Sequence, residues 1–376
     1  LRSERTAGPG TPCDLDPAAP GCGEVPPPVE ECVDAVGCDT VNPGSGTGGL
    51  PCEVDPEAVC AVRPPELLRP EAGAYLADQA AAVGLFQHRL HDRGEGAGTP
   101  AGTLRDTAAW VRVSSHNQQL GTGGALSLDR HASVMQAGVD VLRWGAVQRT
   151  HVGVMMGAGR ARHEAVSPLT GYAAKGVVRG TAAGMYGTWY QRPDAATGAY
   201  ADAWAQQGRY RNTVEGTALA RERYRSRTRA VSLEAGYGWG LGRGDRQVLL
   251  QPQAQWIHTV HSSDGLVEQN GTRVRPGAAG GLSSRVGLRL SRPQVHAANG
   301  VQPFFAFNWL RDPRGNSILL DDQPLRGAAP GHRKEVQVGA RVSWGAHWSG
   351  WGELALQRGS QRYRSAAAQW GVRARW

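Results

Sequence analysis

Three side chains near the middle of the chain could do acid–base chemistry together: His258, His261 and Asp264. A histidine held by a carboxylate can activate a serine or a water, provided all three groups converge. No serine lies in a Gly-x-Ser-x-Gly elbow, and histidines at a strand–loop junction more commonly serve as polar rim groups. Six cysteines (Cys13, Cys22, Cys32, Cys38, Cys52 and Cys60) could hold zinc or form disulfides. None forms a Cys-x-x-Cys pair and no histidine lies among them, so zinc is disfavoured. Disulfides made in an oxidising compartment are expected, paired sequentially as 13–22, 32–38 and 52–60 because small loops cost least to close. No Gly-x-x-x-x-Gly-Lys-Ser/Thr is present to cradle a nucleotide. Neither a cofactor nor a catalytic residue is assigned from these patterns.

Charge is the next source of chemistry. The chain of 376 residues carries +8, unevenly distributed. Residues 1–60 hold two arginines against eleven acidic residues, a net of −9, which leaves +17 for the remainder. Almost all of that excess is arginine, since Lys175 and Lys334 are the only lysines. A basic excess invites a nucleic-acid reading, but the arginines alternate with apolar residues along strands instead of clustering as such a site requires. Arg221, Arg223, Arg225, Arg227 and Arg229 form one such alternating run. It reads either as a solvated outer loop or as a site for anionic sugars or heparin-like chains.

The elements that must position these groups fall into three parts. Residues 1–65 lack aromatic side chains and include Pro26-Pro27-Pro28 and Gly44-Ser45-Gly46-Thr47-Gly48-Gly49. They read as an extended acidic linker. The chain opens without a signal peptide or initiator Met, which reads as a piece of a longer precursor. Residues 66–94 hold one helix, expected over about 70–92. Pro70 suits its first turn, Glu71 its positive end, and Gly94 a stop. At ~1.5 Å per residue it is roughly 35 Å long. Tyr75, Asp78, Gln79, Gln87, His88 and Arg89 make it too polar to face lipid, while its Ala and Gly keep it slim enough for a water-lined pore.

From residue 104 to 376 the period changes to two. Twelve strands are expected, beginning near 107, 131, 148, 173, 198, 225, 245, 279, 300, 333, 348 and 364. Gln251, Gln253 and Gln255 alternate with Leu250, Pro252, Ala254 and Trp256; Glu335, Gln337 and Arg341 alternate with Val336, Val338, Val342 and Trp344. The apolar faces end in Trp or Tyr and carry no charge at their centres, where one would cost ~2–4 kcal/mol against lipid. The other faces supply a hydrated lumen: Gln251, Gln253, Gln255, Arg285, Arg289, Glu335, Gln337, Arg341, Arg373 and Arg375. Short connections (Gly145-Ala146, Gly242-Arg243-Gly244, Gly345-Ala346) oppose long ones expected near 119–130, 163–172, 262–278 and 312–331. Pro252 and Pro303 sit awkwardly inside strands. The pattern is that of an all-β, antiparallel transmembrane barrel of twelve strands with an α-helix threaded through its lumen. The last strand sets Trp370, Val372, Ala374 and Trp376 on one face and Gly371, Arg373 and Arg375 on the other, and its end reads as an assembly signal.

At several points, in order, the sequence resembles the translocator domain of monomeric autotransporters (type V secretion), in its pertactin-like branch. The resemblance covers roughly residues 65–376. Arg69-Pro70-Glu71-Ala72-Gly73-Ala74-Tyr75-Leu76-Ala77 and Leu85-Phe86-Gln87-His88-Arg89-Leu90-His91-Asp92-Arg93 resemble the pore-plugging segment. Trp110-Val111-Arg112, Gly138-Val139-Asp140, Tyr186-Gly187-Thr188-Trp189-Tyr190 and Ala201-Asp202-Ala203-Trp204 resemble early strands. Ser232-Leu233-Glu234-Ala235-Gly236-Tyr237 and Gln251-Pro252-Gln253-Ala254-Gln255 are the most specific pieces. Gly371 to Trp376 matches the family's terminal signature, with Trp where Phe is commoner.

This resemblance implies a bacterial outer-membrane location, with the linker at the cell surface. It implies a monomeric secretion pore that anchors its own N-terminal passenger and works without nucleotide hydrolysis. Implied partners are outer-membrane lipid and lipopolysaccharide, the barrel-assembly machinery and periplasmic chaperones. Alternative readings are a general porin or adhesin barrel, an outer-membrane protease or lipase, and a soluble β-sandwich. Some family members cut themselves in the pore helix at an Asn-Asn pair. Residues 63–93 here contain no Asn, and Ala77-Asp78 stands where relatives often have Ala-Asn. The chain is therefore expected to stay uncut within residues 70–93 after membrane insertion; N-terminal sequencing that finds a new terminus there would refute this.

Overall fold

Alternation of apolar and polar residues is satisfied on both faces at once when the apolar face meets lipid or a packed core and the other meets water or polar groups. The computed structural model describes residues 68–95, 107–122, 126–145, 148–192, 197–242, 247–292, 300–313, 315–327, 329–345 and 347–376. The six cysteines, the linker 1–65 and the first residues expected of the barrel, 104–106, lie outside the described residues. The tall strands are β1 (Ala108–Thr122), β2 (Leu126–Trp144), β3 (Arg149–Val166), β4 (Ala173–Tyr190), β5 (Gly198–Gly216), β6 (Glu222–Leu241) and β7 (Val248–Ser263). Shorter ones follow: β10 (Gly280–Ser291), β11 (Gly300–Arg311), β14 (His332–Trp344), β15 (Trp348–Gly359) and β16 (Arg364–Arg375).

These twelve close into an antiparallel barrel in which β1 pairs with both β2 and β16. The seam runs from Ala108 opposite Arg375 to Gln119 opposite Arg364. It is tied off by Thr107 and Trp376, whose backbones exchange hydrogen bonds of 2.8 and 3.0 Å. Met156, Met185, Leu233, Val338 and Leu354 are exposed on the outer face. On β3 the outward apolar run from Val152 to Ala158 is continued by Thr150. Nine residues span ~30 Å along a strand, or about 23 Å at the usual tilt, close to the apolar band of such barrels.

Four further strands, β8 (Leu266–Val267), β9 (Arg273–Pro276), β12 (Ser317–Leu320) and β13 (Gln323–Arg326), form a separate sheet in the order β13-β12-β9-β8. They occupy two connections expected to be long loops, 262–278 and 312–331. Of the other two expected long loops, 119–130 is mostly strand and 163–172 is shortened to 167–172. β1 runs to Thr122 and β2 starts at Leu126; β3 runs to Val166 and β4 starts at Ala173. The wall is thus tall at β2–β6, with strands of 18 to 20 residues. It is low at β10–β16, with strands of 12 or 13. The small sheet belongs to the low side.

The helix α1 covers Pro70–Gly84, 15 residues rather than the expected twenty or so. Beyond it the chain turns through Leu85–Arg89 into a 3-10 turn at Leu90–Arg93. The reason is competition for the backbone. Phe86 O accepts from Gln136 and Gln206, and His88 O accepts from Trp204 and Gln255. Leu90 N donates to Glu234. Side chains of the wall replace the helical ladder, and Gly84 has low helix propensity to resist them.

The two strand prolines also find an explanation. Pairing of β6 with β7 is interrupted between Gly236–Gln253 and Trp239–Leu250, where Pro252 has no N–H to give. Pro303 stands one residue beyond the last β10–β11 pair, Ser291–Phe304, so it meets a ladder only with β14.

Candidate functional site: the filled lumen

Inward side chains of β3, β4 and β5 give α1 its seat. Ala161, Ala174, Val178, Val214 and Tyr210 are buried against Ala72, Ala74, Ala81, Ala82 and Phe86. Gly180 permits this approach, since a Cβ there would meet the Tyr210 ring at 2.4 Å and Phe86 at 3.2 Å. The N-terminal half of α1 also packs on Val274 and Ile318 of the small sheet.

Polar contacts fix the helix axially. Tyr75 donates to Glu268 at 3.0 Å, and Arg69 donates to Glu268 at 2.8 Å and Thr272 at 3.1 Å. Gln79 donates to Ser317 O at 3.1 Å and accepts from Asn316 at 3.0 Å. Asp78, with no exposed surface, accepts from Tyr224 at 2.7 Å and lies 3.1 Å from His163 Nε2.

Below the helix, the segment 85–95 carries the charge that the wall requires. Arg89 pairs with Glu335 at 2.7 Å, which also accepts from Asn308 and Gln357. Asp92 faces Arg112 at 3.6 Å and accepts from Gln369 at 2.7 Å. Arg93 is fully buried, paired with Asp202 and lying 4.4 Å over the Tyr186 ring. Glu95 takes Arg373 at 2.7 Å, and Arg373 also reaches Asp140 at 2.9 Å. Gly94 turns the chain with φ of +68°, and a side chain there would strike Trp351. Its carbonyl accepts from Arg341. Glu95, Asp140 and His151 lie close enough together to hold a cation. Arg373 bridges the two carboxylates and Arg143 also reaches Asp140 at 3.0 Å, so the cluster is neutralised from within the protein.

The remaining residues named from the sequence divide by face. Gln251, Gln253, Gln255, Arg285 and Gln337 are buried inside the barrel. Arg285 reaches Glu234 at 3.1 Å, and Arg289 lies 3.4 Å over Phe304. Gln87 donates to Thr259 at 3.4 Å, His88 stacks on Trp204 at 4.8 Å, and Arg375 is half-buried. On the outer face Trp370 and Trp376 are exposed, Val372 and Ala374 are half-buried, and Gly371 lies inward beneath Trp351.

His258 and His261 are not brought together. His258 is exposed on the outer face of β7, with His261 three residues on and on the opposite face. The run Arg223–Arg229 is not a loop; it is the outer face of β6. Asp92, Arg93, Arg112, Asp140, Asp202 and Glu234 stand in the motifs quoted above with no pairing role read from them, and Glu95 lies outside those motifs. The available signal was a charged residue at an inward register position, as in Ala201-Asp202-Ala203.

The helix leans on the tall wall, so the lumen is not filled evenly. A cavity of about 230 Å³ remains between the plug and the opposite wall, lined by Arg112, His116, Arg130, Arg333, Glu353 and Gln369 among others.

The autotransporter beta-domain profile matches residues 109–355, most of the barrel wall. The chain belongs to the autotransporter beta-domain family. It is 33% identical over 323 residues to the uncharacterized protein YuaQ of Escherichia coli (strain K12), covering 81% of this chain and 24% of that protein. It is 32% identical over 345 residues to the uncharacterized protein YdeU of the same strain, covering 87% of this chain and 72% of that one. This autotransporter chain thus spans about a quarter of YuaQ and most of YdeU. Among solved structures, the transport unit of the autotransporter AIDA-I from Escherichia coli superposes with a TM-score of 0.73 at 23% identity. That superposition covers 82% of this chain and 99% of that one. The autotransporter barrel resides in the bacterial outer membrane, as an outer-membrane translocator domain.

The buried pair generates a prediction. Asp202→Asn leaves Arg93 buried with its charge unmatched, which costs about 3–5 kcal/mol. Combining it with Arg93→Met restores much of that loss. Thermal unfolding of the two variants in detergent checks this; equal destabilisation of single and double variants would count against the pair.

Proposed function

We propose that this chain is the secretion pore and membrane anchor of a longer autotransporter, carrying a linked passenger to the cell surface without nucleotide hydrolysis. In this reading residues 1–65 are the surface linker, 66–94 the plug and 104–376 the barrel, acting as a monomer. The observation that carries it is the fit of segment 68–95 into a lumen whose inward side chains hydrogen-bond its backbone carbonyls. Gln136, Gln206, Gln255 and Trp204 read peptide groups, not particular side chains. A wall that binds backbone suits a passing chain of any sequence.

Direction follows from the same segment: α1 starts among the small sheet and Glu95 ends beside Arg373, at the level of the Thr107–Trp376 tie. Energy for movement comes from folding of the passenger outside and from assembly factors. A porin reading is weaker because the plug is bound by ion pairs at both ends, Arg69 at one and Arg89, Asp92, Arg93 and Glu95 at the other.

Two outcomes are expected. Deleting residues 68–93 raises planar-bilayer conductance severalfold over the intact chain; an unchanged conductance would place the helix outside the conducting path. The residues Trp370, Gly371, Val372, Ala374 and Trp376 serve as the signal read by the barrel-assembly machinery, after delivery by periplasmic chaperones. Removing Trp376 should cut the amount inserted in cells far more than it changes the unfolding temperature of refolded barrel; equal insertion would refute the signal.

A further inference from the structure

The outer surface carries a charge pattern that neither pore nor plug uses. On β3, β4, β5 and β6, moving from the lipid-facing run toward the end that bears the small sheet, the first charged outward residue is an arginine: Arg160, Arg179, Arg209 and Arg229. On β11, β14, β15 and β16 the same position holds Arg311, Lys334, Arg358 and Arg364. Eight of the twelve barrel strands therefore present a cation at the same boundary. All of these side chains are exposed except Arg160, which is half-exposed.

Register sharpens the pattern. Arg160 stands opposite Arg179, Arg179 opposite Arg211, and Arg211 opposite Arg225. Arg209 faces Arg227 one row nearer the apolar band. On the other side Lys334 stands opposite Arg358, and Arg358 opposite Arg364. Like charges directly across a sheet destabilise it, the more so beside a low-dielectric layer. No carboxylate lies within ion-pair distance of these residues among the described residues. Of the acids near this end of the wall, Glu164 pairs with Lys175 at 3.7 Å and Glu215 with Arg221 at 2.7 Å, Glu222 stands on the opposite face of β6, and Asp129 on β2 stands opposite Glu164 instead of an arginine.

We propose that this basic collar binds the phosphate groups of outer-leaflet glycolipid headgroups, lipopolysaccharide above all. Guanidinium forks take phosphate oxygens bidentately. The depth decides the occupant: the collar begins within two residues of the last lipid-facing side chains, at headgroup level. A soluble polyanion has no reason to be read at that depth or around both sides of the barrel. Bound phosphates convert rows of repelling charges into rows of shared ones, so the lipid is part of what stabilises the inserted barrel. The inference rests on the outer-membrane placement of the barrel.

The test uses the full chain purified in neutral detergent. The variants are Arg160→Gln/Arg179→Gln/Arg209→Gln/Arg229→Gln and, separately, Lys334→Gln/Arg358→Gln/Arg364→Gln, with Arg→Lys versions of the first set as charge-conserving controls. Bound lipopolysaccharide is read by phosphorus content and native mass spectrometry. Fold is read by the shift in gel migration between unboiled and boiled samples.

Each glutamine set should lower bound lipopolysaccharide severalfold while the Arg→Lys set keeps most of it. Without lipid, the glutamine variants should unfold no earlier than the parent, because repulsion is relieved. They should lose the upward shift in unfolding temperature that lipopolysaccharide gives the parent. Enzymatically dephosphorylated glycolipid should give no shift to either. Equal lipopolysaccharide binding by parent and variants, equal binding of dephosphorylated glycolipid, or preference for heparin over lipopolysaccharide would each overturn the collar. A variant that migrates as a folded barrel and still binds lipid normally removes this inference alone and leaves the translocator reading intact.

Discussion

Arg93 has no exposed surface, and the architecture of the inner segment follows from the need to match its charge. Its partners are Asp202 and Thr188 on two neighbouring strands, with the Tyr186 face beneath. A guanidinium desolvated to this degree is tolerable only when paired and hydrogen-bonded. The same condition recurs along the segment, at Arg89 with Glu335 and at Glu95 with Arg373. An empty lumen would leave Asp202, Glu335, Arg112 and Arg373 to water or to one another. The filled one meets each of them with a complementary group from eleven consecutive residues.

That arrangement explains why the helix is short. Helical hydrogen bonds past Gly84 would hide the carbonyls of Phe86 and His88 from Gln136, Gln206 and Gln255. The wall binds them instead, and the chain uncoils where the polar lumen begins to grip it. Upstream of that point Ala, Gly and Val line much of the seat, so the helix keeps its own bonds and is held by packing together with the side-chain contacts of Tyr75, Asp78 and Gln79. One inner segment thus changes from α-helix to irregular chain and a 3-10 turn at the place where wall side chains take over its backbone carbonyls.

Much of this was legible in the sequence. Strand positions and faces could be read because lipid and lumen make opposite demands on successive residues, and a period of two records both. Most strands begin within three residues of where periodicity puts them, β2 being the exception at Leu126. The end of α1 could not be read, because the groups that compete for its backbone lie 50 to 167 residues away. The pairing of Arg93 with Asp202 spans 109 residues and leaves only a lone acid between two alanines as its trace. The small sheet escaped notice because strands of two to four residues carry no measurable period.

The uneven height of the wall has a mechanical reading. The tall side supplies small residues on which a rigid rod can rest, and the low side supplies glutamine, arginine and glutamate across an open gap. The barrel is therefore a channel with a bearing surface and a clearance, like a shaft seated against one side of its housing. A rod withdrawn along its axis slides over glycine and alanine once the polar contacts of Arg69, Tyr75, Asp78 and Gln79 are released.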